Sequence, residues 1–339
     1  LAYFYNGDLM IGLLCGGSSS EHEISIVSAM ALYHRISDVK FLYLDSKNEL
    51  YYFKKPTMDK IINKKGKRIL FNKKSLSAEK IDFIILVNHG YGIEDTIGAI
   101  LDFYEIPYLG SGVYPGVVAM DKWLCYKMLN SEGILQVKKQ CYKPYDLVEI
   151  SYPVIVKPKR CGSSLGISVC KNEDELIKKS LKALKYDSEL IIEEYLEDMQ
   201  ELSAAFYDDG SIKMSKVELI NYSDDIFDFK EKYLSSHKLY SHLFLDDNEL
   251  IKRIFEIGSL VYKTIGAKDI VRIDFFYKDS KIYLNEINTI PGSLSYYMFD
   301  DFEKIINELV EKNKKDYFFR LRKKNSINLD VLKFNNKLK

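Results

Sequence analysis

The stretch from Val271 to Asn288 constrains this chain more than any other. Val271-Arg272-Ile273-Asp274-Phe275-Phe276-Tyr277 and Ile282-Tyr283-Leu284-Asn285-Glu286-Ile287-Asn288 are runs of β-branched and aromatic residues around a polar turn, Lys278-Asp279-Ser280-Lys281. That pattern predicts a β-hairpin. Side chains alternate faces along a strand, so Glu286 and Asn288 share a face. Folding at Asp279-Ser280 sets Asp274 opposite residue 285 or 286, and the second register places two carboxylates side by side with Asn288 next in line. The remaining residues are apolar on both faces, which predicts a sheet covered on both sides. Buried carboxylates need charge compensation. A hard cation with oxygen ligands supplies it, and Mg²⁺ takes one or two carboxylates while leaving positions for phosphate oxygens. Spacing alone leaves the alternative of two solvated edge carboxylates open.

The 339 residues suffice for two or three domains with their own cores. Basic and acidic residues balance at 49 each, so no global field draws the chain to nucleic acid or a membrane surface. No apolar run reaches the length of a membrane span. Five cysteines without a C-x-x-C pair predict free thiols in a reducing compartment, hence a cytoplasmic protein. Residues Leu1 to Leu9 lack the features of a signal peptide and read as an extension before a first strand at Met10. The segment from Lys312 onward holds ten Lys or Arg against two Asp and reads as a solvated or partly helical basic tail.

In chain order, the strand Met10–Cys15 leads through Gly16-Gly17-Ser18-Ser19-Ser20 into a helix running to about Arg35, with Ser20 and Glu23 as a capping box. This geometry presents backbone N–H groups to an anion, although no G-x-G-x-x-G is present. Strands follow at Phe41–Leu44, Tyr51–Phe53 and Asp82–Asn88, with a Lys-rich surface excursion over 54–80. His89-Gly90 and Glu94-Asp95 stand at the end of the third of these strands. The strand–helix alternation predicts a parallel sheet with ligands at the carboxyl ends of its strands. Ser111-Gly112 marks a boundary, followed by one helix over 115–131. Lys157 enters the loop Gly162-Ser163-Ser164-Leu165-Gly166 between two strands, which can wrap a phosphate in backbone and hydroxyl donors; it is not a Walker A loop. A long polar excursion, residues 220–242, contains Lys232 and Tyr233 and reads as a functional loop.

Taken in order, Gly16-Gly17 with Glu21, His89-Gly90, Glu94-Asp95, Gly110-Ser111-Gly112, Met120-Asp121-Lys122, Lys157-Pro158, Gly162–Gly166, Lys232-Tyr233, Arg272–Asp274 and Asn285–Gly292 resemble the D-alanine–D-alanine ligases of the ATP-grasp superfamily, with details closest to the ε-proteobacterial subgroup. No single segment identifies the family; their order does, from about Met10 to about Phe302. The resemblance implies an α/β protein, α+β in its C-terminal half, with the ATP-grasp fold. It also implies three domains, 1–112, 113–201 and 202–339, with ATP held between the last two.

The resemblance further implies ATP-dependent joining of two D-alanines through a D-alanyl phosphate, for peptidoglycan precursor synthesis, by a homodimer. Asp274, Glu286 and Asn288 would hold two Mg²⁺ ions, with Mn²⁺ as an alternative. Lys122 and Lys157 would meet the ATP phosphates under Gly162, Ser163 and Ser164. Glu193, Glu194, the backbone near Leu196, and Glu201 would hold adenine and ribose, the two outer glutamates one residue further apart than the family pattern. Glu21 would take the first ammonium group beside His89, with Ser163 and Tyr233 as its companions and Lys232 near the second amine. Arg272 and the Gly292 N–H would form the oxyanion site. Tyr297-Met298 aligns with the family's Ser-Leu pair at the second substrate carboxylate, and the loop after His89 is a glycine short. Ligation to D-serine or D-lactate, and a non-catalytic nucleotide-binding role, are the competing readings.

Overall fold

A computed structural model describes residues 10–220 and 242–324, with side chains described through residue 317. Residues 1–9, Lys232, Tyr233 and the rest of the loop expected to close over the site lie outside the described residues.

Short strands and helices make up the first third of the chain: β1 (Met10–Gly16), α1 (His22–Tyr33), β2 (Val39–Leu44), β3 (Leu50–Phe53), α2 (Met58–Ile62), β4 (Lys67–Ile69), α3 (Lys73–Ala78), β5 (Ile81–Leu86), α4 (Ile97–Phe103) and β6 (Tyr108–Leu109). The sheet order is β4-β3-β2-β1-β5-β6. β1 lies parallel to β2 and β5, and β5 parallel to β6, while β3 and β4 are antiparallel additions at one edge. Both faces are covered, so the central strands are nearly all apolar, with Leu13, Leu14, Phe41, Leu42, Phe83 and Ile84 buried. Residues 54–80 are more than the surface excursion expected. They supply edge strand β4 and bury Ile61 and Leu76, anchors that the surrounding lysines mask in the sequence.

The helix expected over 115–131 is two: α5 (Val113–Met120) and α6 (Lys122–Ser131). Asp121 separates them in extended conformation, and its carboxylate accepts from the N–H groups of Trp123 and Leu124 to cap α6. The central sheet is antiparallel, with β7 (Lys139–Tyr142), β8 (Val154–Pro158), β9 (Ser168–Cys170) and β10 (Leu190–Glu194) in the order β7-β10-β8-β9, backed by α7 (Glu173–Ala183).

The third sheet joins β11 (Gln200–Asp208), β12 (Ile212–Ile220), β13 (Leu243–Phe244), β14 (Val271–Lys278) and β15 (Lys281–Asn288) in the order β13-β12-β11-β14-β15. Helix α8 (Asn248–Thr264) buries Leu250, Ile254, Gly258 and Val261, spaced three and four residues apart on one face. A Cβ at Gly258 would lie 2.0 Å from the Phe206 ring, so only glycine lets helix and sheet approach this closely. The basic segment from Lys312 continues α9 (Phe302–Lys324). Among the described residues no helix is long and apolar enough to cross a membrane.

Candidate active site

The hairpin β14–β15 resolves the register that the sequence leaves open. Counting from the turn, Lys278 pairs with Lys281 and Phe275 with Leu284, which would bring Asp274 to Asn285. A bulge between Asp274 and Phe275 pairs Asp274 with Glu286 instead, and Arg272 with Asn288. On the other side Ser203 of β11 faces Asp274. Arg272, Asp274, Glu286, Asn288, Ser203 and Glu201 therefore share one face. Asp274 is buried and fully hydrogen-bonded. Ser203 Oγ and Arg272 Nε (2.8 Å) donate to Oδ1, and Arg272 Nη2 and Asn288 Nδ2 (each 3.0 Å) donate to Oδ2. Two carboxylates and an amide on one face form an oxygen donor set of the kind that Mg²⁺ accepts, with room for phosphate oxygens.

The central sheet builds a cationic floor. Register places Lys139 of β7 directly opposite Glu193 of β10, and Lys157 of β8 diagonally across on the same face. Glu193 Oε1 lies 2.7 Å from Lys139 Nζ and Oε2 2.6 Å from Lys157 Nζ, with all three side chains buried. Burial pushes Glu193 up, but the two ammonium groups outweigh it and hold its pKa at about 2. For Lys157, burial outweighs Glu193 and lowers its pKa. Lys122, at the start of α6, donates to the Cys161 carbonyl (2.6 Å) and lies 3.6 Å from Glu286. Arg160 anchors the start of the loop that holds Gly162–Gly166 through Asp187, which accepts from its backbone N (2.9 Å), Nε (3.1 Å) and Nη2 (2.7 Å).

The loop following β1 brings Glu21 to the cavity. The expected Ser20–Glu23 capping box does not form. Helix α1 starts at His22 with Glu21 at its N-cap and no side-chain cap, because Glu21 turns toward Ser163, whose Oγ donates to it at 2.6 Å. A Cβ on Gly162 would lie 2.5 Å from Glu21 Oε1, so the glycine is what allows this approach. His89 is buried, 3.1 Å from Ser28 Oγ, and burial pushes its pKa down to about 4. Burial also raises the pKa of Glu21.

One cavity of about 140 Å³ brings together Glu21, His89, Lys122, Gly162, Ser163, Ser164, Glu201, Arg272, Asp274, Glu286, Asn288 and Gly292. Their sequence separation reflects three sheets meeting there. Several predicted residues do not line this cavity. Lys157 and Glu193 form the floor described above, and Glu194 and Leu196 do not line the cavity. Met298 is buried in the core between the first sheet and α9. Tyr297 donates to Glu218 Oε2 at 2.9 Å and stacks on His242 at 4.0 Å instead of lining the cavity. Sequence reasoning missed the parts of Lys139, Ser203 and Glu94. The first two follow only from strand register. Glu94 stands in a quoted motif, but its partner Thr289 is 195 residues away.

A six-stranded α/β unit, an antiparallel central sheet presenting lysines and a glycine–serine loop, and a facing hairpin of carboxylates together define an ATP-grasp ligase. The D-ala D-ala ligase N-terminus family model matches residues 10–111, and the D-ala D-ala ligase C-terminus model residues 123–311. The chain belongs to the D-alanine–D-alanine ligase family. The D-alanine–D-alanine ligase of a Nitratiruptor species is 32% identical over 320 residues, covering 89% of this chain and 93% of its own. The crystal structure of the Helicobacter pylori D-alanine–D-alanine ligase matches with a TM-score of 0.76 at 30% identity, over 90% of this chain and 99% of that one. The VanG D-Ala:D-Ser ligase from Enterococcus faecalis matches at 0.72 with 27% identity, over 92% and 100%.

Proposed function

We propose that this chain joins two D-alanines into D-alanyl-D-alanine, a peptidoglycan precursor, with conversion of ATP to ADP and phosphate. The observation that carries the reading is the single cavity in which Glu21, Lys122, Ser163, Arg272, Asp274, Glu286 and Gly292 converge. The γ-phosphoryl group passes to the carboxylate of the first D-alanine. The amine of the second attacks the acyl carbon, and phosphate leaves the tetrahedral intermediate. Such transfer is chiefly positioning and charge neutralisation.

Lys122, Lys157 and the loop Gly162–Gly166 hold the phosphates, with Glu201 toward the ribose. Glu21 takes the ammonium of the first D-alanine beside His89. Arg272 and the Gly292 N–H stabilise the oxyanion. Asp274, Glu286 and Asn288 would hold Mg²⁺, which supplies neutralisation of the phosphate oxygens when bound. Lys232 and Tyr233 complete the site in this reading. The chain works in the cytoplasm, where ATP is available, and its five free cysteines suit a reducing compartment. Exposed Ile100, Phe103, Val113, Tyr114 and Val117 on α4 and α5 support a homodimer.

The VanG match keeps ligation to D-serine as the second reading. Incubation with MgATP and equal D-alanine, D-serine and D-lactate, followed by mass spectrometry, separates them. D-Ala-D-Ala as the main product at pH 7.5 is the expected result, and a mixed product in equal or greater yield would replace it.

A further inference from the structure

We infer that Glu94 is a positioning residue that fixes the amino-acid side of the site against the oxyanion donors, and so keeps ATP cleavage coupled to peptide-bond formation. The inference rests on the assignment of Arg272 and Gly292 made above.

Glu94 follows β5 and lines the cavity, yet its carboxylate is spent on backbone and side-chain donors from two distant segments. Oε2 accepts from Gly90 N at 3.1 Å. Oε1 accepts from Thr289 Oγ1 at 3.0 Å and from Ile290 N at 3.2 Å. Its own N–H donates to the Gly90 carbonyl at 3.0 Å, so one residue grips Gly90 at both ends. Gly90 in turn packs on Glu21, where a Cβ would lie 3.2 Å from that of the glutamate. On the other side only Pro291, with its φ at −68°, separates Ile290 from Gly292. One carboxylate thus sets the distance from the Glu21–His89 loop to the Gly292 N–H.

The residue type follows from the donor count. Gly90 N and Ile290 N can only donate, one to each oxygen, so the group between them must accept with both oxygens. A glutamine would turn an NH₂ toward one of them.

The acyl phosphate has two fates. Attack by the second amine forms the C–N bond, breaks the C–O bond to phosphate and releases a proton, giving dipeptide and inorganic phosphate. Attack by water breaks the same C–O bond and gives D-alanine and inorganic phosphate. Displaced oxyanion donors slow attack on the enzyme, because misplacement of about 1 Å costs up to about a hundredfold, and the acyl phosphate left waiting escapes to solvent, where water hydrolyses it. Phosphoryl transfer, organised by Lys122, Lys157 and the phosphate loop, continues. ADP then exceeds dipeptide.

The test measures ADP and D-Ala-D-Ala side by side in wild type, Glu94→Gln, Thr289→Val, Thr289→Ser and Arg272→Lys, with folding checked by circular dichroism. Expected for Glu94→Gln are an ADP-to-dipeptide ratio above about two and dipeptide turnover reduced about tenfold or more, with KM for ATP changed by less than about threefold. Thr289→Val shifts the ratio less in the same direction, and Thr289→Ser, which keeps the hydroxyl, returns it toward one. Partial unfolding lowers both products together and leaves the ratio at one. Folded Glu94→Gln or Thr289→Val with a ratio of one overturns the inference. If Arg272→Lys uncouples and these do not, only the Glu94 inference falls; if Arg272→Lys also stays at one, the oxyanion assignment falls with it.

Discussion

Glu193 and Glu94 are carboxylates on opposite sides of one site, the first fully buried and the second partly buried. Glu193 faces two ammonium groups, which hold it at about 2 against burial. Glu94 faces Gly90 N, Thr289 Oγ1 and Ile290 N, none of which carries a charge, and burial with the neighbouring Glu21 pushes it up to about 8. The floor therefore sets Lys122, Lys139 and Lys157 against Glu193, with Glu286 at the edge, an excess of positive charge suited to a polyphosphate. The opposite wall holds Glu21 and Glu94 among neutral donors with both pKa values raised, so an arriving ammonium group is the charge that would favour their ionised forms. This contrast sorts the nucleotide end from the amino-acid end on electrostatics alone.

The largest expected effect falls where the two fields meet. Glu286 lies 3.6 Å from Lys122, and its charge is felt at both Lys157 and Glu21. Glu286→Gln keeps the shape and removes that charge. Turnover should fall by at least about a hundredfold with the fold intact. Wild-type ADP production by the folded variant would take Glu286 out of the charge-neutralising set.

Next comes the floor itself. Lys157→Met leaves buried Glu193 with Lys139 alone, and breaking a buried pair this way costs about 3–5 kcal/mol. Urea unfolding should show that loss together with a raised KM for ATP. Glu94→Gln strands no cation and should cost less, about 1–3 kcal/mol. Equal losses at the two positions would erase the contrast.

The pH dependence sharpens it. Glu193 is lowered from 4.5 to about 2, so its contribution is present above pH 4.5 and is lost as pH falls toward 2. Glu94 is raised from 4.5 to about 8, so its contribution is full below 4.5 and is lost as pH rises toward 8. Asp269, raised by burial to about 6, follows Glu94, while His89, lowered to about 4, gains stability as pH rises toward 6.5. Above pH 6.5, of these four groups, Glu94 carries the decline. Glu94→Gln should flatten stability between pH 6.5 and 8, and a constant difference from wild type across that window would contradict its raised pKa.

The hairpin was legible because β-branched alternation and a polar turn are local signals. Its register was not, because the bulge between Asp274 and Phe275 has no compositional mark. Glu21, Lys122, Ser163 and Arg272 stand out as candidates because each lies in a short ordered motif, and all four line one cavity. Lys139 was missed because its meaning lies in pairing with Glu193 across β7 and β10. That same pairing makes Glu193 part of the floor. Helix α1 shows the converse: Ser20 and Glu23 satisfy a local capping rule, and the tertiary contact from Glu21 to Ser163 wins.

The smallest effect concerns a third carboxylate, intermediate between the two compared. Glu218 accepts from the Tyr297 hydroxyl at 2.9 Å and from His242 Nδ1 at 2.5 Å, and the His242 ring stacks on Tyr297. Burial pushes the Tyr297 pKa up, so the phenol remains a proton donor at neutral pH. Tyr297→Phe keeps the ring and its stacking and removes one hydrogen bond, worth about 0.5–1.5 kcal/mol net. If this ring helps shape the second amino-acid subsite, that energy should surface as a two- to tenfold change, in order of magnitude, in KM for the second D-alanine. KM for ATP and for the first D-alanine, governed by residues on the far walls, should hold. A lowered melting temperature with all three constants unchanged would make Tyr297 a support for Glu218 alone, and would leave selection of the second substrate to groups outside this trio.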